Sequence, residues 1–175
     1  MKQADRELNS QAAAALRIRD VMLNRCSFNR PTPPPDNTET TQVQQFIKQT
    51  VQYVIGDAQE SDGRNIKLLQ VTVGLGIRIT GMEPEGTPVY FEIEADFLVE
   101  YEMVAEVSEA AIKTFADHNS VHNVWPFWRQ HVFDIVSRGR LPHLDIPLYS
   151  ISLAKLESGQ DAESAVDNIG AGKQS

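Results

Sequence analysis

The sequence predicts an α+β fold in which an antiparallel sheet precedes the helices. Residues 69–80 and 89–107 alternate apolar and polar side chains with a period of two, whereas the residues after Ser108 repeat at helical spacing. Successive side chains of a strand point to opposite faces, so each alternating segment forms a strand with one buried and one exposed face. Such strands are typical of antiparallel sheets. We expect four strands, with the C-terminal helices packed on one face of the sheet.

Composition and charge restrict the class of protein. A chain of 175 residues with 41% hydrophobic and 23% charged residues fits one globular domain with its own core. The formal net charge of -8 argues against unaided nucleic-acid binding, because phosphates are contacted by clustered Lys and Arg. No segment has the length of a membrane span and the N-terminus does not read as a secretory signal, so we expect a cytoplasmic location. Cys26 is the only cysteine, which excludes an internal disulfide framework.

The N-terminal part divides into an arm, a strand and a proline-rich loop. Residues 1–15 are rich in helix formers but poor in large apolar residues, which predicts a helical or frayed arm. Residues 16–29 alternate imperfectly, which predicts a strand with a β-bulge. The prolines of 31–41 cannot donate ladder hydrogen bonds, so a stiff crossover loop is expected. The folded domain is predicted to span 16–156, followed by a disordered acidic and Gly-Ser tail at 157–175.

The segment 43–55 fits two structures. Its apolar residues match a helix stripe and also a strand, and its β-branched residues favour the strand. Asp62-Gly63 predicts a turn before the strand at 69–80, and 81–88 holds a hairpin connection to the next strand. Because most of these connections are short, the strands are predicted to form an antiparallel meander.

The strand at 89–107 has an apolar side and an acidic side. It is longer than an ordinary strand, so we expect a bend, a bulge or a break into two strands. Its charged residues are usually just a solvated face, but they could also dock a basic partner. The residues considered for docking, called the acidic row below, are Glu92, Glu94, Asp96, Glu100 and Glu102.

Two helices are predicted after the last strand. Ser108 begins a short one, and Asn123 is predicted to cap a longer one that has Pro126 in its first turn and Gly139 as its C′ glycine. A further helix could follow at 144–156. The longer helix is apolar on nearly all sides, which indicates burial against another copy of the chain. The residues predicted for that interface are Trp125, Phe127, Trp128, Val132 and Phe133.

No motif predicts catalysis, so we expect neither enzyme activity nor a cofactor. His118 and His122 could share a helix face, but no third metal ligand is indicated, and a polar helix surface is the better interpretation. His131 is expected to be a packed, hydrogen-bonded histidine. Gly74-Leu-Gly-Ile lies inside a strand and lacks the strand-to-helix turn of a phosphate loop. Cys26 is interpreted as a small buried hydrophobic residue rather than a nucleophile.

The long helix carries a family resemblance. It begins Trp125-Pro126-Phe127, has Arg129 soon after, and ends Ser137-Arg138-Gly139 before Leu141-Pro142, while the first strand contains Cys26-Ser27-Phe28. These segments resemble the export chaperone SecB. The order of elements ahead of the helix, a strand, a crossover loop and three more strands, is also similar to SecB, and the resemblance covers residues 16–156.

The resemblance implies a four-stranded antiparallel sheet with helices on one face, assembled as a dimer of dimers around the long helix. It implies a protein without enzymatic activity that holds unfolded polypeptides in apolar grooves without ATP. In the export branch of the family, the SecA motor docks its basic zinc-containing tail on acidic residues of the sheet, here the acidic row. The groove residues implied by the resemblance are Phe46, Val51, Tyr53, Ile146, Leu148, Tyr149 and Leu153.

Two departures from SecB change the expected role. The first strand has Arg25, Asn29 and Arg30 where the export proteins have acids, and the crossover loop lacks their aromatic residues. Part of the SecA docking patch is therefore missing, which favours a SecB-like chaperone with fewer clients, such as the antitoxin of a toxin-antitoxin system. The alternative is an oligomeric SecB-fold scaffold for interactions or a small ligand, without chaperone activity.

Overall fold

The computed structural model describes residues 3–33, 43–82, 88–147 and 149. In this part of the chain one helix is followed by four strands and then by a long helical segment. The bounds are α1 Gln3–Ala15, β1 Leu16–Asn29, β2 Val43–Gln59, β3 Asn65–Gly81, β4 Val89–Met103, α2 Glu109–Phe115, a π-helical turn Ala116–Ser120, and α3 Val121–Gly139.

The four strands form one antiparallel sheet in the order β1-β4-β3-β2. The predicted meander is correct for β2, β3 and β4 only, because β1 lies beside β4 and not beside β2. The connection from β1 to β2 therefore leads from one edge of the sheet to the other, as a crossover loop does, although residues 34–42 lie outside the described residues. The order leaves β1 and β2 as the two edge strands.

The core lies between the sheet and the helices. On β3 and β4 the odd-numbered apolar residues oppose each other in register, as Val73 opposes Phe97, and they are buried. The ring of Phe115 in α2 meets Tyr101 at a centroid distance of 5.0 Å, and His131 in α3 meets Phe97 at 6.5 Å. The face of the sheet that α2 and α3 cover is called the helix side, and the opposite face, which bears the acidic row, the charged side.

β1 contains two register shifts, one between Ile18 and Asp20 and one between Leu23 and Arg25. The predicted bulge is thus confirmed, and it is one of two. Each inserted residue reverses the face that the following side chains take. As a result Ile18, Leu23 and Phe28 all oppose helix-side residues of β4, although simple alternation would place Leu23 on the other face.

Two strand predictions can be compared directly with the structure. The strand interpretation of 43–55 is confirmed and the helix alternative is wrong, and the turn at Asp62-Gly63 is present, with Gly63 at a φ of 85°. The strand predicted to run to Val107 ends at Met103. Met103 pairs with Leu16, the first residue of β1, so no residue of β1 remains to pair beyond it.

α2, the π-helical turn and α3 follow one another without a break. Ser108 caps the start as predicted, because its hydroxyl accepts a hydrogen bond from the backbone N–H of Ala111 at 3.3 Å. The predicted cap at Asn123 is wrong, since this residue lies inside α3. Its side chain instead donates to the hydroxyl of Tyr101 at 3.0 Å. Burial raises the pKa of Tyr101, while the hydrogen bond from Asn123 opposes that shift.

α3 ends at Gly139, but the residue in the left-handed conformation is Arg140, with a φ of 49°. The prediction of Gly139 as the C′ glycine is therefore wrong by one position. The N–H of Leu141 closes the helix end by donating to the carbonyl of Val136 at 3.0 Å. A Cβ on Gly139 would lie 3.2 Å from Leu141 Cγ and 3.6 Å from Phe28 Cζ, so the side chain of Leu141 packs closely over this glycine.

α1 packs against the helices rather than extending into solvent. Ala12 and Ala15 are buried, and the side chain of Asn9 donates to Asn119 of the π-helical turn at 2.8 Å. The helix leads directly into β1 at Leu16.

Candidate functional site

The helix side of β2 is incompletely covered. Ile47, Val51 and Tyr53 lie there because their partners on β3 are the buried odd-numbered residues, and all three are half-buried. Val51 and Tyr53 pack against the core, whereas Ile55, two residues further, is 39% exposed. An apolar row at a sheet edge that the helices only partly cover can accept further apolar surface.

Phe46 does not belong to this row. The register of β2 with β3 has no shift between Phe46 and Tyr53, so the even-numbered Phe46 lies on the charged side, opposite Arg78. Its side chain is 47% exposed. The predicted grouping of Phe46 with Val51 and Tyr53 is therefore wrong, because side chains five positions apart on a regular strand point to opposite faces.

The segment after α3 lies against α3. The indole N–H of Trp125 donates to the carbonyl of Pro147 at 2.9 Å, and Nε of Arg129 donates to the carbonyl of Ile146 at 3.0 Å. The ring of Tyr149 lies 5.2 Å from that of Trp125. Residues 144–147 are not helical, and most of the rest of the helix predicted at 144–156 lies outside the described residues, as do Leu148 and Leu153 of the predicted groove.

Each member of the acidic row has a polar partner on another strand of the sheet. Their side chains all lie on the charged side, as the alternation predicted, but the row is not an open patch of negative charge. The pairs are Arg78–Glu92 at 2.6 Å, Lys48–Glu94 at 2.8 Å, Arg25–Asp96 at 2.8 Å, Gln70–Glu100 at 2.6 Å and Arg19–Glu102 at 3.7 Å.

Two glycines of β3 make room for the pairs that cross it. Lys48 on β2 reaches Glu94 on β4 above Gly76, where a Cβ would lie 3.3 Å from Glu94 Cγ. At Gly74 a Cβ would lie 2.4 Å from Thr50 Oγ1 and 2.8 Å from Asp96 Oδ1. Gly74 and Gly76 therefore admit side chains from both neighbouring strands.

Hydrogen bonds to acids favour the charged form of two cations in this network, Lys48 and Arg19. The hydrogen bond to Glu94 raises the pKa of Lys48, and the hydrogen bond to Glu60 raises that of Arg19, which sits at the first bulge of β1. The sequence analysis missed these partners. Because side chains alternate along a strand, the even numbers of Lys48 and Arg78 could have placed both on the charged side. They could not have shown which acid each one meets, because this depends on how the strands are ordered and aligned.

α3 has an inner and an outer face. Trp125, Trp128 and Val132, predicted for an interface between copies, are buried in the core of their own chain. Phe127 and Phe133 are 50% and 62% exposed on the outer face. Beside Phe133 a groove of about 750 Å³ opens between α3 and the segment 140–146.

His131 lies between two aromatic rings on the inner side of α3. It stacks on Trp128 at 6.2 Å and meets Phe97 edge-on at 6.5 Å. Its Nε2 is buried and has no hydrogen-bond partner among the described residues, so the predicted packing is confirmed and the predicted hydrogen bond to that atom is not present. Burial lowers the pKa of His131, and the nearby Asp134 opposes that shift.

The described residues contain no cluster of potential metal ligands and no helix suited to crossing a membrane. His118 and His122 do not form part of any group of three or more potential metal ligands among the described residues. No described helix combines the length and the apolar character that crossing a bilayer requires.

Comparison with protein-family models gave no match, and no curated protein matched the sequence. Among solved structures, the chain is similar to the Mycobacterium tuberculosis Rv1957 SecB-like chaperone in complex with a ChAD peptide from the Rv1956 HigA1 antitoxin. The TM-score is 0.63 at 19% sequence identity, and the match covers 82% of this chain and 97% of that chain. At this identity the likeness concerns the fold: the chain has the SecB-like fold, with its four-stranded antiparallel sheet and long C-terminal helix.

Proposed function

We propose that this protein is an ATP-independent holdase that binds unfolded or aggregation-prone polypeptides. The observation that carries the proposal is the half-covered apolar row of β2, in a chain with the fold of a chaperone whose solved complex contains a bound peptide. Apolar burial is non-directional, so such a surface can hold many sequences with little preference. Several weak contacts along one client chain then add up through effective concentration.

The proposed groove has Val51 and Tyr53 on one side and Ile146 and Tyr149 on the other. All four are half-buried and pack against the single core, so each keeps part of its surface for a client. Leu148 and Leu153 are proposed as further members on the C-terminal side. Clients include a specific chain such as an antitoxin, because the neighbour's peptide comes from one.

The test is suppression of aggregation. Chemically unfolded citrate synthase is diluted with stoichiometric amounts of the purified protein and without nucleotide, and light scattering is followed. We expect scattering to fall to a low plateau. Full aggregation in the presence of a folded protein contradicts the holdase proposal and favours the alternative, a SecB-fold scaffold for interactions or a small ligand.

The groove itself is tested with a paired substitution. Tyr53→Ser with Tyr149→Ser removes apolar surface from both sides and should weaken client binding about 10-fold, since each buried aromatic ring contributes a few kcal/mol at most. Phe46→Ser is the matched control, because it removes an aromatic ring from the same strand on the charged side. Circular dichroism checks the fold. Equal client affinity in the double variant and the wild type places the groove elsewhere.

The assembly proposed is a dimer of dimers in the cytoplasm, with the outer face of α3 buried between copies. Phe127 and Phe133 support it, because both are large, apolar and at least half exposed on one helix, and Phe133 also borders an open groove. SecA is the less favoured partner, since the acidic row is already paired with cations of the same sheet.

A further inference from the structure

A second groove, lined mostly by apolar residues, lies at the end of the sheet where β4 stops. It has a volume of about 410 Å³. Met103 and the residues 104–107 form one wall, and Ile55 of β2 forms the other. Ile112, the first large apolar residue of α2, is buried at its floor, while Ile55 and Val104 are 39% and 42% exposed.

The groove exists because β4 ends where β1 begins. Beyond the Leu16–Met103 pair, the N–H of Val104 donates to the carbonyl of Ala15, and the chain leaves the sheet before Ser108 starts α2. β2 and β3 continue past this point to their turn at 60–64, so their helix side stays uncovered there. Ile55 of β2 and Met103 of β4 thus border an open space that no described element fills.

The groove continues the helix-side row of β2. Ile55 follows Val51 and Tyr53 at the two-residue spacing that places side chains on one face. Its rim carries one cation and one acid, Lys67 and Glu106, so neither sign of charge is favoured. An extended chain lying along β2 would therefore bring a neutral apolar side chain into this space.

We infer that this groove is an anchor subsite for a bulky aliphatic or aromatic side chain of an extended client. The inference rests on the proposed holdase function and adds a site at Ile55, Val104 and Ile112, outside the groove formed with the C-terminal segment. Its volume lies within the range of small-ligand pockets, which is enough for a large side chain and part of its neighbour.

The chain's own internal loops are too far away to fill it. Residues 34–42 end at Val43, which pairs with Gly81 at the opposite end of the sheet. From Val43 to Ile55 a strand extends about 40 Å at ~3.3 Å per residue. The chain 34–42 is fixed at Pro33 and Val43, so it can extend only about 20 Å away from these two residues. This reach is shorter than the distance from Val43 to Ile55. Residues 83–87 join β3 and β4 at that same far end.

The direct test is methyl NMR on the full chain with labelled isoleucine δ1 methyl groups. The probe is a fluorescein-labelled peptide of about twelve residues that alternates Leu and Thr, long enough to lie along β2. We expect the signals of Ile55 and Ile112 to shift on titration. Ile18 is the internal control, because it is 53% exposed on β1, at the other edge. A peptide alternating Ser and Thr should leave all three signals unchanged.

Substitutions test the same site by affinity. Ile55→Ser with Val104→Ser should weaken binding of the Leu-Thr peptide about 10-fold in fluorescence anisotropy, as expected for lost burial of a large side chain. Val54→Ser is the matched control, since Val54 is 58% exposed on the neighbouring position of β2 but on the charged side. Circular dichroism confirms that the variants fold.

Three outcomes overturn the proposal. If the peptide binds the wild type while the Ile55 and Ile112 signals stay in place, the anchor subsite is wrong and the holdase function stands. If those signals move with protein concentration in the absence of peptide, a second copy occupies the groove. If the Leu-Thr peptide does not bind at all, the anchor subsite fails together with the proposed client binding.

Discussion

At the scale of single residues, Gly74 decides how closely three strands can pack their polar side chains. Thr50 of β2 and Asp96 of β4 both lean over it from opposite sides. A glycine inside a strand normally weakens it, because it adds no packing surface. Here the missing side chain is what lets groups from β2 and β4 occupy the same space on the charged side.

Gly74→Ala should therefore destabilise the fold. The new Cβ would lie 2.4 Å from Thr50 Oγ1, so side chains or backbone must shift, and overpacking of this kind costs about 1–3 kcal/mol. Gly56→Ala is the matched control, because nothing lies within 4 Å of the Cβ it would add to β2. The stability of both variants is measured as the urea concentration at which half of the protein is unfolded. Equal stability of the two would show that Thr50 and Asp96 move aside freely.

His131 makes stability depend on pH. Burial lowers its pKa in the folded state, so between that value and the unfolded value of ~6.5 the unfolded chain binds more protons. The stability that the neutral form of His131 contributes is therefore fully present above pH ~6.5, and it is lost as the pH falls through this window. His131→Phe keeps a ring between Trp128 and Phe97 and should lose less stability between pH 7.5 and 5.5. Urea unfolding of the variant and the wild type at the two pH values measures these losses of stability. An identical pH dependence of the two proteins contradicts the role assigned to His131.

At the scale of elements, the charged side of the sheet works as a cross-strand lattice. Cations from β1, β2 and β3 each meet an acid of β4, which is the central acidic strand. Because the cations of these pairs are largely exposed, solvent screens the pairs and they contribute little to stability. Their larger effect is on recognition, since they neutralise a surface that would otherwise attract basic segments.

Removing the cations should open the acidic row. Arg25→Gln, Lys48→Gln and Arg78→Gln together should raise the affinity for an oligolysine peptide about 10-fold at low salt, with the gain screened away at ~0.3 M salt. The thermal midpoint should change by only a few degrees. A charge-matched control combines Arg6→Gln, Arg138→Gln and Arg140→Gln, away from the sheet. Equal gains in the two variants would attribute the effect to net charge.

Period-two patterns predicted the strands well because alternation follows directly from strand geometry. The imperfect alternation of β1 also indicated a bulge, which the register of Ile18 to Arg25 confirms. The partners Arg19 and Arg25 of the acidic row could not be predicted, since they depend on β1 lying beside β4. The merging of the helices was missed because Asn123 suits a cap but here donates to Tyr101. Phe46 was grouped with Val51 and Tyr53 through the resemblance to SecB, although its even position in the strand already placed it on the opposite face.

At the scale of the whole molecule, the outer face of α3 should hold copies together. Phe133→Glu places a charge where apolar burial is proposed, and an unpaired buried charge costs several kcal/mol. We expect the variant to form dimers and the wild type tetramers in light scattering. Val54→Glu is the control, since Val54 is similarly exposed but lies on the charged side of β2. Trp128→Glu would not report on assembly, because Trp128 is buried in its own chain. A monomeric wild type at micromolar concentration contradicts the proposed assembly.

The position of β1 beside β4 also sets the order in which the chain can fold during synthesis. Arg25 and its partner Asp96 are 71 positions apart, so β1 leaves the ribosome long before the strand it pairs with. β2, β3 and β4 are joined through local turns and can assemble as they emerge, because short loops close at low entropic cost. Until β4 is complete, the apolar side chains of β1 stay without a sheet, and the nascent chain is for that interval an aggregation-prone polypeptide of the kind that holdases bind.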